Sequence, residues 1–196
     1  MRFFITRGEQ LGLSLSEAVL RGLAPDGGLY VPDAWPSLAL EDFDRCETLA
    51  EVGARLIAPF AVGDRLDSLI TEITADAFNF EAPLVPVSGA AGDGEMHVLE
   101  LFHGPTAAFK DFGARFLAAT FQRLRVASDP TVNILVATSG DTGGAVAAAF
   151  HRRPGMAVTV LFPKGLVSPT QERQLTCWGD NVRSFAVAGT FDDCQR

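Results

Sequence analysis

Lysine is nearly missing from this sequence. Of its 16 basic residues only Lys110 and Lys164 are lysines, and the rest are arginines. Cysteine and histidine are scarce as well, with three of each. Cys46, Cys177 and Cys194 are odd in number and far apart. That excludes a disulfide framework or a cysteine metal site and points to a reducing cytoplasm. With no His-Glu or Cys-Cys cluster, no metal is expected. Positive charge is also short: the net charge of −8, with Arg152-Arg153 the only adjacent basic pair, argues against nucleic-acid binding. No apolar run is long enough to span a membrane, and Met1-Arg2-Phe3-Phe4-Ile5-Thr6-Arg7-Gly8 lacks the hydrophobic stretch of a signal peptide. What is abundant is core material. An apolar fraction of 47% with 15 phenylalanines in 196 residues implies a globular chain of one domain, or one domain plus part of another.

Residues 14–80 read as mainly helical. Ser14 and Ser16-Glu17 suit a helix start, with Ala18, Val19 and Leu20 carried to a stop near Gly22. Residues 24–32, Ala24-Pro25-Asp26-Gly27-Gly28-Leu29-Tyr30-Val31-Pro32, read as a turn in which Asp26-Gly27-Gly28 is turn chemistry. Helical spacing returns through Leu49, Val52, Leu56 and Ile57, and again through Leu66, Leu69, Ile70 and Ile73. The polar, glycine-rich residues 88–94 mark a change of texture. They divide a mainly helical domain over 1–92 from the beginning of an α/β domain over 93–196.

In the second part strands and helices alternate: a strand over 96–102, a helix over 111–126, a buried strand over 132–137, and a helix near 144–151. A strand over 157–162, a helix over 168–178 and a strand over 182–187 follow. This alternation implies an open parallel sheet covered by helices on both faces. Gly189-Thr190 followed by Phe191-Asp192-Asp193 reads as one more helix start. Since the alternation does not close there, the expectation is a truncated domain: an amino-terminal piece of a longer enzyme, inactive alone.

In a sequence that writes almost every cation as arginine, Lys110 stands out. A guanidinium stays protonated, whereas an ε-amine loses its proton when desolvated and can form a Schiff base with a carbonyl. Apolar neighbours on both sides are the surroundings that would lower its pKa. A lysine snorkelling from the start of an amphipathic helix fits the same spacing. The second candidate is Thr138-Ser139-Gly140-Asp141-Thr142-Gly143-Gly144, between the most hydrophobic strand and a helix. It is neither a Walker loop nor a dinucleotide glycine loop. Ser139, Thr142 and the glycine amides suit a carboxylate or phosphate at a strand's carboxyl end. An ordinary strand-to-helix turn, with Ser139 or Asp141 as cap, suits the pattern equally. His103 offers acid-base chemistry but reads better as a loop residue bonded to backbone near Gly104-Pro105. Lys164 and Arg173 read as solvated charges.

Phe102-His103-Gly104-Pro105-Thr106 with Ala108-Phe109-Lys110-Asp111-Phe112 resembles the pyridoxal-phosphate lysine segment of the threonine synthase family. Ala137-Thr138-Ser139-Gly140-Asp141-Thr142-Gly143 resembles its substrate loop. Thr6-Arg7-Gly8, Glu17-Ala18-Val19-Leu20, the segment from Gly22 to Pro32, Ser168-Pro169 with Gln171-Glu172, and Gly189 through Gln195 extend the likeness along the chain. Ile5, Ala107 and Gly144 depart from the pattern, where Ser, Leu and Ala are expected.

The resemblance implies a fold type II pyridoxal 5'-phosphate enzyme acting on O-phospho-L-homoserine and water to give L-threonine and phosphate. It implies Lys110 as the Schiff-base lysine and the base at the substrate α-carbon. Thr138, Ser139, Gly140, Asp141, Thr142 and Gly143 become the substrate-carboxylate loop, with Asp141 also near the cofactor's phenolic oxygen. A phospholyase or hydroxy-amino-acid dehydratase of the same fold, or an inactive partial product, are the rivals. The family's loop for the cofactor phosphate and its partner for the pyridine nitrogen have no counterpart after Gly165.

Overall fold

Serine and threonine hydroxyls decide where most helices of this chain begin. The structure is a computed structural model that describes residues 1–8, 12–87 and 96–196. It comprises two compact units, Met1–Asn79 with Ala119–Val126, and Phe80–Ala118 with Ala127–Arg196. The expected boundary between residues 92 and 93, and the glycine-rich turn around it, lie outside the described residues.

In the first unit, β1 (Phe3–Ile5) pairs antiparallel with β2 (Tyr30–Pro32), setting Phe3 opposite Pro32 and Ile5 opposite Tyr30. The expected turn over residues 24–32 therefore ends in a strand, because β1 presents partners for its backbone groups. Helix α1 (Leu15–Arg21) begins where expected. The Ser14 hydroxyl accepts from the Glu17 N–H, the Glu17 carboxylate accepts from the Ser14 N–H, and the helix stops at Gly22 with φ 70°. Helix α2 (Leu49–Ala61) repeats this start with Thr48 and Glu51.

Helix α3 (Ile70–Ala77) is shorter than the apolar spacing suggested, since a 3-10 turn over Asp67–Leu69 precedes it. Asp64 supplies the reason. Its Oδ2 accepts from the Ser16 N–H at 3.0 Å and hydroxyl at 2.8 Å, and its Oδ1 from the Leu66 N–H at 2.8 Å. Leu66 is thereby committed to a carboxylate instead of a helical ladder. Around this turn Leu66, Ile70, Ile73 and Ala77 are at most 2% exposed. Burying each of the larger three contributes about 1.5–3 kcal/mol.

In the second unit, β3 (Leu84–Pro86) and β4 (His97–Leu99) form an antiparallel pair. The expected strand over 96–102 is cut to three residues and pairs with a strand that proline and short length hid from periodicity. Helix α4 spans Lys110–Leu124, of which the residues up to Ala118 belong to this unit. Three parallel strands follow, β5 (Val132–Ala137), β6 (Met156–Pro163) and β7 (Val182–Val187), in that order across the sheet. They are joined by α5 (Asp141–Phe150) and α6 (Pro169–Thr176), and α7 (Phe191–Gln195) comes last.

This is the α/β fold with a parallel sheet that the alternation implies. Met156, Val158, Val160 and Phe162 of β6 share one face and are at most 3% exposed. The opposite face is less covered than a sheet with helices on both sides: Leu135 and Phe185, on the same face as Thr159 and Leu161, are 69% and 52% exposed.

Candidate active site

The turn before α4 is shaped by the residue that follows Lys110. Asp111 is fully buried. Its Oδ2 accepts from the Thr106 N–H at 2.9 Å and its Oδ1 from the Thr106 hydroxyl at 2.8 Å. Gly104 is required by the same clamp, because a Cβ there would stand 2.5 Å from Asp111 Oδ2. Ala107 takes φ 55°, a left-handed conformation that costs a non-glycine residue about 1–2 kcal/mol. Lys110 is thus the first residue of a helix whose entry is held from below by a buried carboxylate, and its own side chain is left to face outward.

The Lys110 amine does not sit in an enclosed apolar pocket. Its side chain is 31% exposed, and Nζ lies 4.2 Å from the centre of the Phe109 ring and 3.9 Å from Asp141 Oδ2. A ring face and a carboxylate both attract a cation. Of the apolar residues that flank it in sequence, Phe109 is 59% exposed and Phe112 is half-buried.

Asp141 belongs to the second loop, which leaves the carboxyl end of β5. Thr138, 2% exposed, organises that loop. Its hydroxyl accepts from the N–H groups of Gly140 at 3.0 Å and Gly143 at 2.9 Å and donates to the Gly140 carbonyl at 3.1 Å. A Cβ on Gly143 would collide with the Thr138 methyl group, and one on Gly140, at φ 150°, with the Gln171 amide. The capping residue of α5 is Gly140, not the expected Ser139 or Asp141, and no side chain caps the helix. The physical reason is that the Thr138 hydroxyl already takes the Gly143 N–H that a cap would bond. The N–H groups of Asp141 and Thr142 find no acceptor among the described residues. Ser139 and Thr142 are exposed beside them.

Helix α6 touches both loops. Gln171 donates from Nε2 to Asp141 Oδ1 at 2.9 Å, and Gln174 from Nε2 to the Thr106 carbonyl at 3.3 Å. Neither glutamine was singled out by chemistry in the sequence; the only signal was the Ser168-x-x-Gln171 spacing of a helix start. Asp111 was also passed over, since an acidic residue in a first helical turn is ordinary. His103 departs from expectation: its Nε2 lies 2.7 Å from Glu100 Oε2 and its ring stacks on Phe102 at 4.8 Å, so its partner is a carboxylate and not backbone. Lys164 and Arg173 are exposed, as expected. Among the described residues no cluster of His, Cys, Asp or Glu is arranged to hold a metal ion, and no helix is long and apolar enough to cross a membrane.

The structure therefore brings Lys110 and residues 138–143 together at one end of the sheet. Residues 78–196 match the family described as pyridoxal-phosphate dependent enzyme, and residues 2–78 the family described as threonine synthase N terminus. The chain belongs to the pyridoxal-phosphate dependent enzyme family. Among its curated relatives, threonine synthase of Escherichia coli (strain K12) is 39% identical over all of this chain and 44% of its own length. That of Haemophilus influenzae is 39% identical over 93% of this chain and 41% of its own. The crystal structure of threonine synthase from Escherichia coli superposes with a TM-score of 0.84 at 37% identity, covering 100% of this chain and 44% of that one. A pyridoxal-phosphate-bound threonine synthase from Brucella melitensis gives 0.84 at 38%, covering 100% and 43%. The chain thus spans less than half the length of the curated relatives it matches.

Proposed function

We propose that this chain carries the lysine and the substrate loop of a threonine synthase, the whole protein converting O-phospho-L-homoserine and water into L-threonine and phosphate. The observation that carries the reading is the approach of Lys110 Nζ to within 3.9 Å of Asp141 beside the uncapped start of α5. The residues fit pyridoxal 5'-phosphate. A solvent-reachable primary amine matches its aldehyde, and a carboxylate lies beside that amine. Lys110 would hold the cofactor through its amine, and Asp141 would stand beside that amine. When bound, the cofactor supplies an electron sink for negative charge developing at the substrate's α-carbon.

The chain's own residues do the rest. Released Lys110 removes the proton from the α-carbon and holds it for return. The free N–H groups of Asp141 and Thr142, with the hydroxyls of Ser139 and Thr142, bind the substrate carboxylate, helped by the positive end of the α5 dipole. Thr138, Gly140 and Gly143 keep that loop in shape. The three cysteines, all unpaired, agree with a reducing cytoplasm as the place of work.

Borohydride reduction followed by peptide mapping tests the lysine: the pyridoxyl group is expected on Lys110. A label on Lys164, or activity surviving Lys110→Ala, overturns the assignment. Threonine and phosphate measured from phosphohomoserine test the reaction, and ketoacid formation in their place would favour a dehydratase.

A further inference from the structure

We infer that Gln171 is a positioning residue for the reaction, acting through Asp141 to fix the charge that Lys110 meets. The inference rests on the proposed role of Lys110. Ser168 Oγ donates to Gln171 Oε1 at 3.0 Å, and the Ser168 N–H donates to the same oxygen at 3.2 Å. With its oxygen pinned, the Gln171 amide can turn only its nitrogen outward, and Nε2 donates to Asp141 Oδ1 at 2.9 Å. Asp141 then presents its other oxygen, Oδ2, to Lys110 Nζ at 3.9 Å. A helix start on α6 is thus coupled to the amine on α4 through two side chains.

The coupling needs an amide at position 171. A glutamate would satisfy Ser168 equally well, since the capping pattern accepts Glu or Gln. It could not donate to Asp141. Gly140 shows how closely the 138–143 loop meets α6, because a Cβ there would strike the Gln171 amide. The groups facing the Lys110 amine are Asp141 and the Phe109 ring. Asp111, its sequence neighbour, is turned to Thr106. Released from Gln171, an exposed carboxylate in the first turn of α5 is drawn to that turn's own free N–H groups and away from Lys110.

The coupling is measurable without cofactor. In the whole protein labelled with [ε-13C]lysine, the signals of Lys110 and Lys164 are assigned with Lys110→Arg and Lys164→Arg, and exposed Lys164 serves as reference. The Trp178 indole N–H, which donates to the Gln174 carbonyl on α6, reports that the helix is intact. Gln171→Met is expected to shift the Lys110 13Cε resonance while leaving that of Lys164 in place, because the carboxylate beside the amine has moved. Asp141→Asn should shift it at least as far, and adding Gln171→Met to Asp141→Asn should change nothing more. Ser168→Ala, which removes one of the two donors that pin Gln171 Oε1, should shift it by less than Gln171→Met does.

An unmoved Lys110 resonance in Gln171→Met, the same shift in the Asp141→Asn background, or an equal shift in Ser168→Ala would each overturn the inference. If Gln171→Met does not fold, Gln171→Glu keeps the cap and sets two carboxylates face to face. Their repulsion should displace Asp141, and an unmoved Lys110 resonance then overturns the inference. None of these readings depends on whether Lys110 binds the cofactor, so the two claims fail separately.

Discussion

Helices α5 and α6 lie in the same unit and begin in opposite ways. Helix α6 starts with Ser168, whose hydroxyl accepts from the Gln171 N–H while the Gln171 side chain accepts in return, and Pro169 takes the first position, where no N–H is needed. Helix α5 starts with Gly140, which has no side chain to cap it, and the Thr138 hydroxyl takes the Gly143 N–H from outside the helix. Helices α1, α2 and α7 follow α6. In these four helices a side chain at the start satisfies an N–H group of the first turn, whereas α3, which follows a 3-10 turn, has no such cap. At α5 the Asp141 and Thr142 N–H groups are left for another partner, which under the proposed function is the substrate carboxylate.

The comparison breaks most severely at Thr138. Thr138→Val keeps the shape but removes the acceptor of two N–H groups on buried glycines, and should cost about 2–4 kcal/mol in urea unfolding. A loss below about 1 kcal/mol would mean that α5 does not depend on this internal hydroxyl.

Ser168→Ala and Ser139→Ala form the sharper pair. The first should cost about 1 kcal/mol, as a lost cap does. The second should fall within about 0.5 kcal/mol, as an exposed substitution does. In an active preparation, Ser139→Ala should instead weaken substrate binding. Equal stability losses would place a cap on α5 after all.

Gly144→Ala should improve stability by about 0.5–1 kcal/mol. The new Cβ would meet only Gln174 Cβ at 3.7 Å, an ordinary contact. A loss of thermal midpoint would show that α5 is packed more tightly than its geometry indicates.

The smallest effect concerns pH. Backbone and hydroxyl hydrogen bonds from Thr190 hold the Asp193 carboxyl below its ordinary value of 3.8. A depressed folded value means that the contribution is present above 3.8 and lost as pH falls through the lower folded value. Hydrogen exchange at the start of α7 should therefore rise only below about pH 3.8, and Asp193→Asn should remove that dependence. Acid fraying already present at pH 5 would contradict it.

Much of the second unit was legible residue by residue. Strands β5 and β7 coincide with the apolar runs that named them, and the Ser168 and Thr190 starts lie where their hydroxyls predicted. Local chemistry carries such features, because a cap or a buried strand is specified within a few residues. Strand β2 and the pair β3–β4 were not legible. Three-residue strands hold no period, and their existence depends on a partner distant in sequence.

The site divides the same way. The sequence alone determined that Lys110 is the exceptional cation and that a turn after β5 enters a helix, which begins at Asp141, three residues earlier than the spacing suggested. It could not say that Asp111 clamps Thr106, that the Thr138 hydroxyl replaces a cap, or that Gln171 grips Asp141. Those contacts join residues 5 and 30 positions apart, or turn a hydroxyl inward where solvent was expected. Only folding brings α4, α5 and α6 close enough for a single hydrogen bond to choose which oxygen of Asp141 faces the lysine. Hydrogen bonds act over about 3 Å, and no spacing along the chain encodes that distance between separate elements.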